Sequence, residues 1–173
     1  YRNDFDPKLG HAVFTNITQA AGILKEGFGL GINITDINRD GWKDIFVTND
    51  FITNDLLWIN KKNGTFIDEA EQYFKHTSAS AMGNDVADIN NDGLADIFAL
   101  DMLPEGNYRK KMLMMPNNYV TYQNNETYHI QYQYVRNTLQ LNLGKKPNTD
   151  QQILSEVSLL ANVAETDWSW CPL

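Results

Sequence analysis

An all-β fold, a partial β-propeller of two to three blades, is the architecture this sequence predicts, and three observations predict it. The chain repeats itself. Asp36-Ile37-Asn38-Arg39-Asp40-Gly41-Trp42-Lys43-Asp44-Ile45-Phe46 returns 52 positions later as Asp88-Ile89-Asn90-Asn91-Asp92-Gly93-Leu94-Ala95-Asp96-Ile97-Phe98, a period suited to a propeller blade and too long for leucine-rich or ankyrin units. Around each copy lie short apolar runs bounded by Gly, Asn and Asp, the pattern of strands joined by tight turns. Composition agrees: 12% of the 173 residues are aromatic, which suits sheets and argues against disorder.

Taken in order, Tyr1-Arg2-Asn3 reads as the tail of a strand from an earlier unit, and Phe14-Thr15-Asn16-Ile17 as the segment after it. Gly31-Ile32-Asn33-Ile34-Thr35 enters the first Asp-rich loop and Ile45-Phe46-Val47 leaves it. Leu56-Leu57-Trp58-Ile59-Asn60 and Phe66-Ile67-Asp68-Glu69 follow, joined at Lys62-Asn63-Gly64-Thr65, where Asn-Gly suits a hairpin. The second unit repeats the order with Gly83-Asn84-Asp85-Val86-Ala87, Ile97-Phe98-Ala99, Thr138-Leu139-Gln140-Leu141-Asn142 and Leu154-Ser155-Glu156-Val157. Residues 102–135 form an insertion that the first unit lacks. The phase of the repeat makes residues 1–173 one fragment of a single propeller domain, cut in mid-blade at both ends, with a third loop expected just beyond Leu173. A closed propeller takes roughly four to eight blades, so its remaining blades are expected partners. A piece with open sheet faces is expected to be poorly soluble or to self-associate.

Charge and motifs narrow the function. The net charge is −8 with a pI near 4.7, and the longest basic run is Arg109-Lys110-Lys111, so nucleic acid is not the expected partner. No apolar stretch is long enough for a membrane-spanning helix. The single cysteine, Cys171, excludes an internal disulfide and a CxxC motif. No GxSxG, P-loop or Rossmann fingerprint occurs, and His11, His76 and His129 lack a second ligand at zinc-like spacing.

The chemistry concentrates in the two repeated loops. Asp36, Asn38, Asp40 and Asp44 stand at positions 1, 3, 5 and 9, as do Asp88, Asn90, Asp92 and Asp96. Alternate positions bring side-chain oxygens round to one point, Gly41 and Gly93 permit the sharp turn, and the carbonyls of Trp42 and Leu94 at position 7 add a backbone ligand. Calcium, a hard cation that takes about 6–8 oxygens, is the expected occupant, one ion per loop. An EF-hand would close with a glutamate at position 12, where Val47 and Ala99 stand instead. The competing reading is a turn whose Asp and Asn side chains cap their own backbone.

These loops resemble the DxNxDGxxD calcium loops of FG-GAP/VCBS repeats, the blade motif of integrin-α-type β-propellers. Gly27-Phe28-Gly29-Leu30-Gly31, Asn49-Asp50-Phe51, Asn54-Asp55-Leu56-Leu57, Asp101-Met102-Leu103-Pro104, Tyr128-His129-Ile130-Gln131-Tyr132 with Arg136-Asn137, and Asp167-Trp168-Ser169-Trp170 are similar to the secreted bacterial branch related to cartilage acidic protein, which often carries a C-terminal ASPIC/UnbV module not present here. The resemblance implies a calcium-stabilised, non-enzymatic binding or adhesion module, secreted or on the cell surface (a bacterial outer membrane included), with a glycan or protein ligand. An integrin-like recognition of a partner's carboxylate beside the metal is a variant of it. The alternative is a polysaccharide lyase or hydrolase on a propeller scaffold, which would need Tyr128, His129 and Arg136 to line one cleft beside a perturbed carboxylate.

Within the insertion, Tyr119, Tyr122, Tyr128, Tyr132 and Tyr134 among amide side chains suit a sugar or a peptide, or else cover a blade. The run Met112-Leu113-Met114-Met115 is expected to be buried packing. Trp168 and Trp170 are expected on a strand, and Cys171, in register with Gly31 and Gly83, is expected to be a small buried residue.

Overall fold

The computed structural model describes residues 1–51, 53–112 and 118–172. Strands β1 (Arg2–Asp6) and β2 (His11–Thr15) form a hairpin of their own. Then β3 (Phe28–Thr35), β4 (Asp44–Asp50), β5 (Leu56–Asn60) and β6 (Phe66–Asp68) pair in chain order as one antiparallel sheet. The chain continues through α1 (Ala70–Tyr73), β7 (Thr77–Ser78), β8 (Asn84–Ala87), β9 (Asp96–Ala99), α2 (Asn107–Lys111), α3 (Tyr119–Tyr128), β10 (Gln133–Tyr134), β11 (Thr138–Lys145) and β12 (Gln152–Glu156). Here β8, β9, β11 and β12 make a second antiparallel sheet of the same order, and β10 pairs in parallel with β7. The protein is thus mostly β, as expected, and the sequence repeat is a repeat of four-stranded sheets.

Strands β2, β3 and β4 fall on segments rich in β-branched or aromatic residues. The β5–β6 hairpin turns at the expected Asn63-Gly64, but the left-handed backbone lies at Lys62 and Gly64 (φ 64° and 86°), not at Asn63. The Asn63 side chain instead accepts the N–H of Thr65. The β1–β2 and β11–β12 hairpins bear out the same recurring segment at Tyr1-Arg2-Asn3, Phe14-Thr15, Thr138–Asn142 and Leu154–Glu156.

The two sheets stack with one face each, and the core lies between them. Phe46, Leu57 and Ile59 of the first sheet meet Ile97, Leu154 and Val86 of the second, with Ile37, Ala70, Tyr73 and Phe74 closing the edges. Because the units repeat, matched residues show which faces are covered. Ile37, in the first loop, is fully buried, whereas its counterpart Ile89 is 51% exposed. In the opposite sense, Ile32 and Ile34 on β3 are 64% and 59% exposed, while Asn84 and Val86, which stand in their places on β8, are half-buried against the first sheet. The first sheet therefore offers the second a face that the second does not itself have covered.

A close approach of backbone fixes the seam. A Cβ on Gly31 would lie 2.5 Å from Thr48 Oγ1 and 2.6 Å from Asn84 Nδ2, and Asn84 Nδ2 in turn donates to Thr48 Oγ1. At Gly83, the matched glycine, a Cβ would run into the carbonyl of Trp170. Only glycine leaves room at either place.

The insertion holds the helices α2 and α3, with α3 capped by Asn118, whose side chain accepts the N–H of Thr121, and stopped at His129 in the left-handed region. Three expectations are corrected. Residues 167–172 form no strand: no strand among the described residues runs beside them, and Trp168 and Trp170 are both exposed. For the same reason Cys171 is exposed rather than buried. Met112 is also exposed, not packed; Leu113, Met114 and Met115 lie outside the described residues.

Candidate metal-binding loops

Both Asp-rich loops connect the first two strands of a sheet, and the same hydrogen bonds build them. In the first, Asp36 accepts the N–H of Asp40 on Oδ1 (3.0 Å) and that of Gly41 on Oδ2 (2.8 Å). Asn38 Oδ1 shares the Asp40 N–H at 3.1 Å, and Asp40 Oδ1 accepts from the Trp42 N–H at 2.9 Å. The second loop repeats these with Asp88 on Asp92 and Gly93 (3.0 and 2.8 Å), Asn90 on Asp92 (3.1 Å) and Asp92 on Leu94 (2.8 Å). The turn needs two left-handed residues, Arg39 and Gly41 (φ 57° and 90°) in one copy and Asn91 and Gly93 (φ 59° and 83°) in the other. Asn tolerates that region well, and glycine adopts it freely.

Position 9 ties each loop to the third strand. Asp44 is fully buried and accepts the N–H groups of Ile37 (3.0 Å) and Asn60 (2.9 Å). Asp96, equally buried, accepts from Ile89 (3.0 Å) and Asn142 (2.8 Å). Asn60 and Asn142 complete the clasp by donating Nδ2 to the carbonyls of Lys43 and Ala95, both at 3.1 Å. Burial pushes the carboxyl of Asp44 above the usual range, and the N–H groups of Asn60 and Ile37 pull against it.

The structure therefore brings Asp36, Asn38, Asp40 and Asp44, and likewise Asp88, Asn90, Asp92 and Asp96, round their loops as expected from the spacing. Their side-chain oxygens, however, point to backbone N–H groups, as in the self-capped turn. Among the described residues no group of three or more His, Cys, Asp or Glu side chains converges as a metal cage. At position 7, Trp42 and Leu94 use their N–H groups on Asp40 and Asp92. The donor chemistry still fits a hard cation, since every side chain at positions 1, 3, 5 and 9 offers oxygen and two of the oxygens already share one N–H. A cation also stands at the first loop: Lys62 Nζ lies 3.3 Å from Asp40 Oδ2.

Residues 36–99 match the family model of the FG-GAP-like repeat. This part of the chain is similar to an FG-GAP-like repeat. The matched span begins at the first residue of the first loop and ends with β9, so it contains both loops but not β3 with its seam residue Gly31. No curated protein matches the chain significantly.

Outside the repeat's loops, the structure shows a cluster that spacing did not reveal. His76 Nε2 lies 3.0 Å from an Arg136 guanidinium nitrogen and 3.2 Å from Glu156 Oε2, and the same guanidinium nitrogen bonds Glu156 at 3.1 Å. Burial works to raise the carboxyl of Glu156, but the hydrogen bonds from His76 and Ser158 and the Arg136 charge outweigh it and hold it down at about 2. These partners stand 80 positions apart in the case of His76 and Glu156, so no local motif announces them. Arg136 also lies over the ring of Tyr134 at 5.4 Å. From there a ladder of near-parallel rings runs through Tyr132 and Tyr122 to Tyr119, with centroids 6.5, 5.7 and 6.2 Å apart. The ladder fastens α3 to the β7–β10 pair, and Tyr128 stays exposed beside it. A cleft below α3 is lined by His129, Glu126, Gln131 and Tyr132 among others, but by neither Tyr128 nor Arg136.

Proposed function

We propose that this chain is a section of a β-propeller, two stacked blades with part of another, serving as a calcium-stabilised, non-enzymatic binding or adhesion module of a secreted or cell-surface protein. The observation that carries this reading is the pair of loops. Two segments 52 positions apart share every side-chain hydrogen bond of the turn, though only their oxygen-bearing side chains, glycines and flanking apolar residues are alike. What the two copies keep in common is a set of oxygen donors that caps the turn and is also of the kind a hard cation takes.

On this reading Asp36, Asn38, Asp40, Asp44 and the carbonyl of Trp42 hold one calcium, and Asp88, Asn90, Asp92, Asp96 and the carbonyl of Leu94 hold the other. Bound calcium supplies charge neutralisation that ties the β3–β4 and β8–β9 turns. The chain's own residues supply the frame, because Asp44 and Asp96 fix each loop to the third strand whether or not an ion is present. Extracellular calcium modules bind at about 10⁻⁴–10⁻³ M, which suits an address outside the cell. On this reading the ligand is a glycan or a protein, and the Tyr128–Tyr132 and Asp167–Trp170 phrases support kinship with the secreted bacterial relatives of cartilage acidic protein.

Calorimetric titration of chelator-stripped protein with calcium, joined to thermal melts, tests the reading. Two ions per chain are expected, and 10 mM calcium should stabilise the fold by about 1–3 kcal/mol per site at those affinities, a rise of several degrees in Tm. An intact fold that takes up no calcium would overturn it.

A further inference from the structure

We propose that Lys62 is a built-in counter-ion of the first loop, making that loop the weaker of the two calcium sites, so that the second loop fills first. The inference rests on the calcium reading above and concerns the basic side chain that pairs with a carboxylate of the first loop; Arg39 and Lys43, which stand where the second loop has Asn91 and Ala95, form no such ion pair among the described residues. Asn60 and Asn142 are equivalent, since each donates its N–H to the carboxylate at position 9 and its Nδ2 to the matched carbonyl. Two residues on, the N–H of Lys62 donates to Asn60 Oδ1 and that of Gly144 donates to Asn142 Oδ1, both at 2.9 Å. Both residues are left-handed, with φ 64° and 88°. The second unit thus has the residue this backbone favours, and the first has a lysine held in glycine's conformation.

The lysine side chain lands on a proposed ligand. Its Nζ lies 3.3 Å from Asp40 Oδ2; the Asp40 side chain is only 7% exposed and that of Lys62 48%, so water screens the pair from the lysine side alone. Other carboxylates around this cleft of about 310 Å³ have cations of their own, Lys61 on Glu69 and Lys145 on Asp150. Asp92, the counterpart of Asp40, accepts from Asn90 and Leu94, and the residue matched to Lys62 has no side chain. A divalent ion held by Asp40 would share that carboxylate with the Lys62 charge, whose repulsion, even at the dielectric constant of water, would weaken binding about tenfold.

The first loop also carries its own reporter. Trp42 sits at position 7 where the second loop has Leu94, so terbium luminescence sensitised by Trp42 marks filling of the first loop, with Trp42→Phe as the blank. The 173-residue chain is titrated with calcium by calorimetry and with terbium by luminescence, beside Lys62→Gln, Lys62→Gly and Asp92→Asn. The expected result is two steps, with the Trp42 signal following the weaker one. Asp92→Asn should delete the tighter step and leave the Trp42 signal. Lys62→Gln should strengthen the weaker step about tenfold. Lys62→Gly should do the same and also relieve the backbone, so that charge remains readable if the glutamine variant melts early. Equal steps, a Trp42 signal in the tighter step, or a weaker step unmoved by both Lys62 variants overturns the inference and leaves the calcium reading standing. No uptake of either metal overturns both.

Discussion

Asp55 is a buried acid whose repeat mate is an amide. It caps the end of β4 by accepting the N–H of Asn49 at 3.0 Å, while in the second unit Asn137 accepts the N–H of Asp101 at 2.7 Å. Acid and amide have exchanged places between copies, leaving one carboxylate in each. Burial, with the nearby charge of Asp101 adding to it, pushes the carboxyl of Asp55 up to about 8 against the pull of the Asn49 N–H. Asp101 is well supplied, accepting from Ser78 Oγ and the N–H groups of Ala79, Ser80 and Met102. The folded chain therefore holds a proton on Asp55 that the unfolded chain releases near pH 4. Stability should fall as pH rises from about 4 to 8, by at most about 1.4 kcal/mol per pH unit. Glu156 acts in the opposite direction: held at about 2, it contributes stability above its unfolded pKa that is lost as pH falls toward 2. Urea unfolding of Asp55→Asn between pH 5 and 8 should show the slope flattened; an unchanged slope would place the proton elsewhere. The loop residues were legible because a DxNxDGxxD spacing is local. The phrases holding Asp55, Asp101 and Asn137 stood out too, but not what these residues cap, since Asp101 and Asn137 meet only across the insertion.

At the scale of elements, strands and their order followed from the repeat, and the insertion did not. Its helix α3 has almost no buried side chain apart from Asn125, so no amphipathic period was there to read. What holds it is the stack of Tyr122 on Tyr132, together with the bond between the Tyr132 hydroxyl and Glu126. Tyr132→Ala should release α3 while leaving both sheets intact. Limited proteolysis ought then to cut within residues 107–131 several times faster, with the main thermal transition moving by no more than a few degrees. A large drop in that transition would mean that the ladder supports the sheets themselves. The misplaced strand at Trp168–Cys171 has a plain cause as well. Sequence register can assign a segment to a strand position, but only a neighbouring strand can satisfy its N–H and C=O groups, and none among the described residues does.

For the molecule as a whole, the period of 52 announced two equivalent sheets, and the structure adds the direction in which they stack. One face of the pair displays Ile32 and Ile34, and the other displays Ile89 and Leu143. The seam between the sheets joins faces of these two kinds, so a second copy of the chain can dock head to tail, a contact that does not close on itself. Sedimentation at tens of micromolar should reveal species larger than a monomer. Ile32→Ser with Ile34→Ser should return the chain toward monomer without lowering its thermal stability, because neither side chain is buried. A monomer at every concentration would show that these faces do not attract each other.

The insertion leaves the two sheets with unequal histories. In the first, β4 reaches β5 across residues 51–55, whereas β9 reaches β11 across residues 100–137. Closing the longer loop costs about 2 kcal/mol more chain entropy when the segment is unstructured. The first sheet is therefore expected to assemble early on local pairings, and the second to zip onto it as a template. In order of synthesis, every strand of the first sheet precedes β11, the later of the two partners of β9.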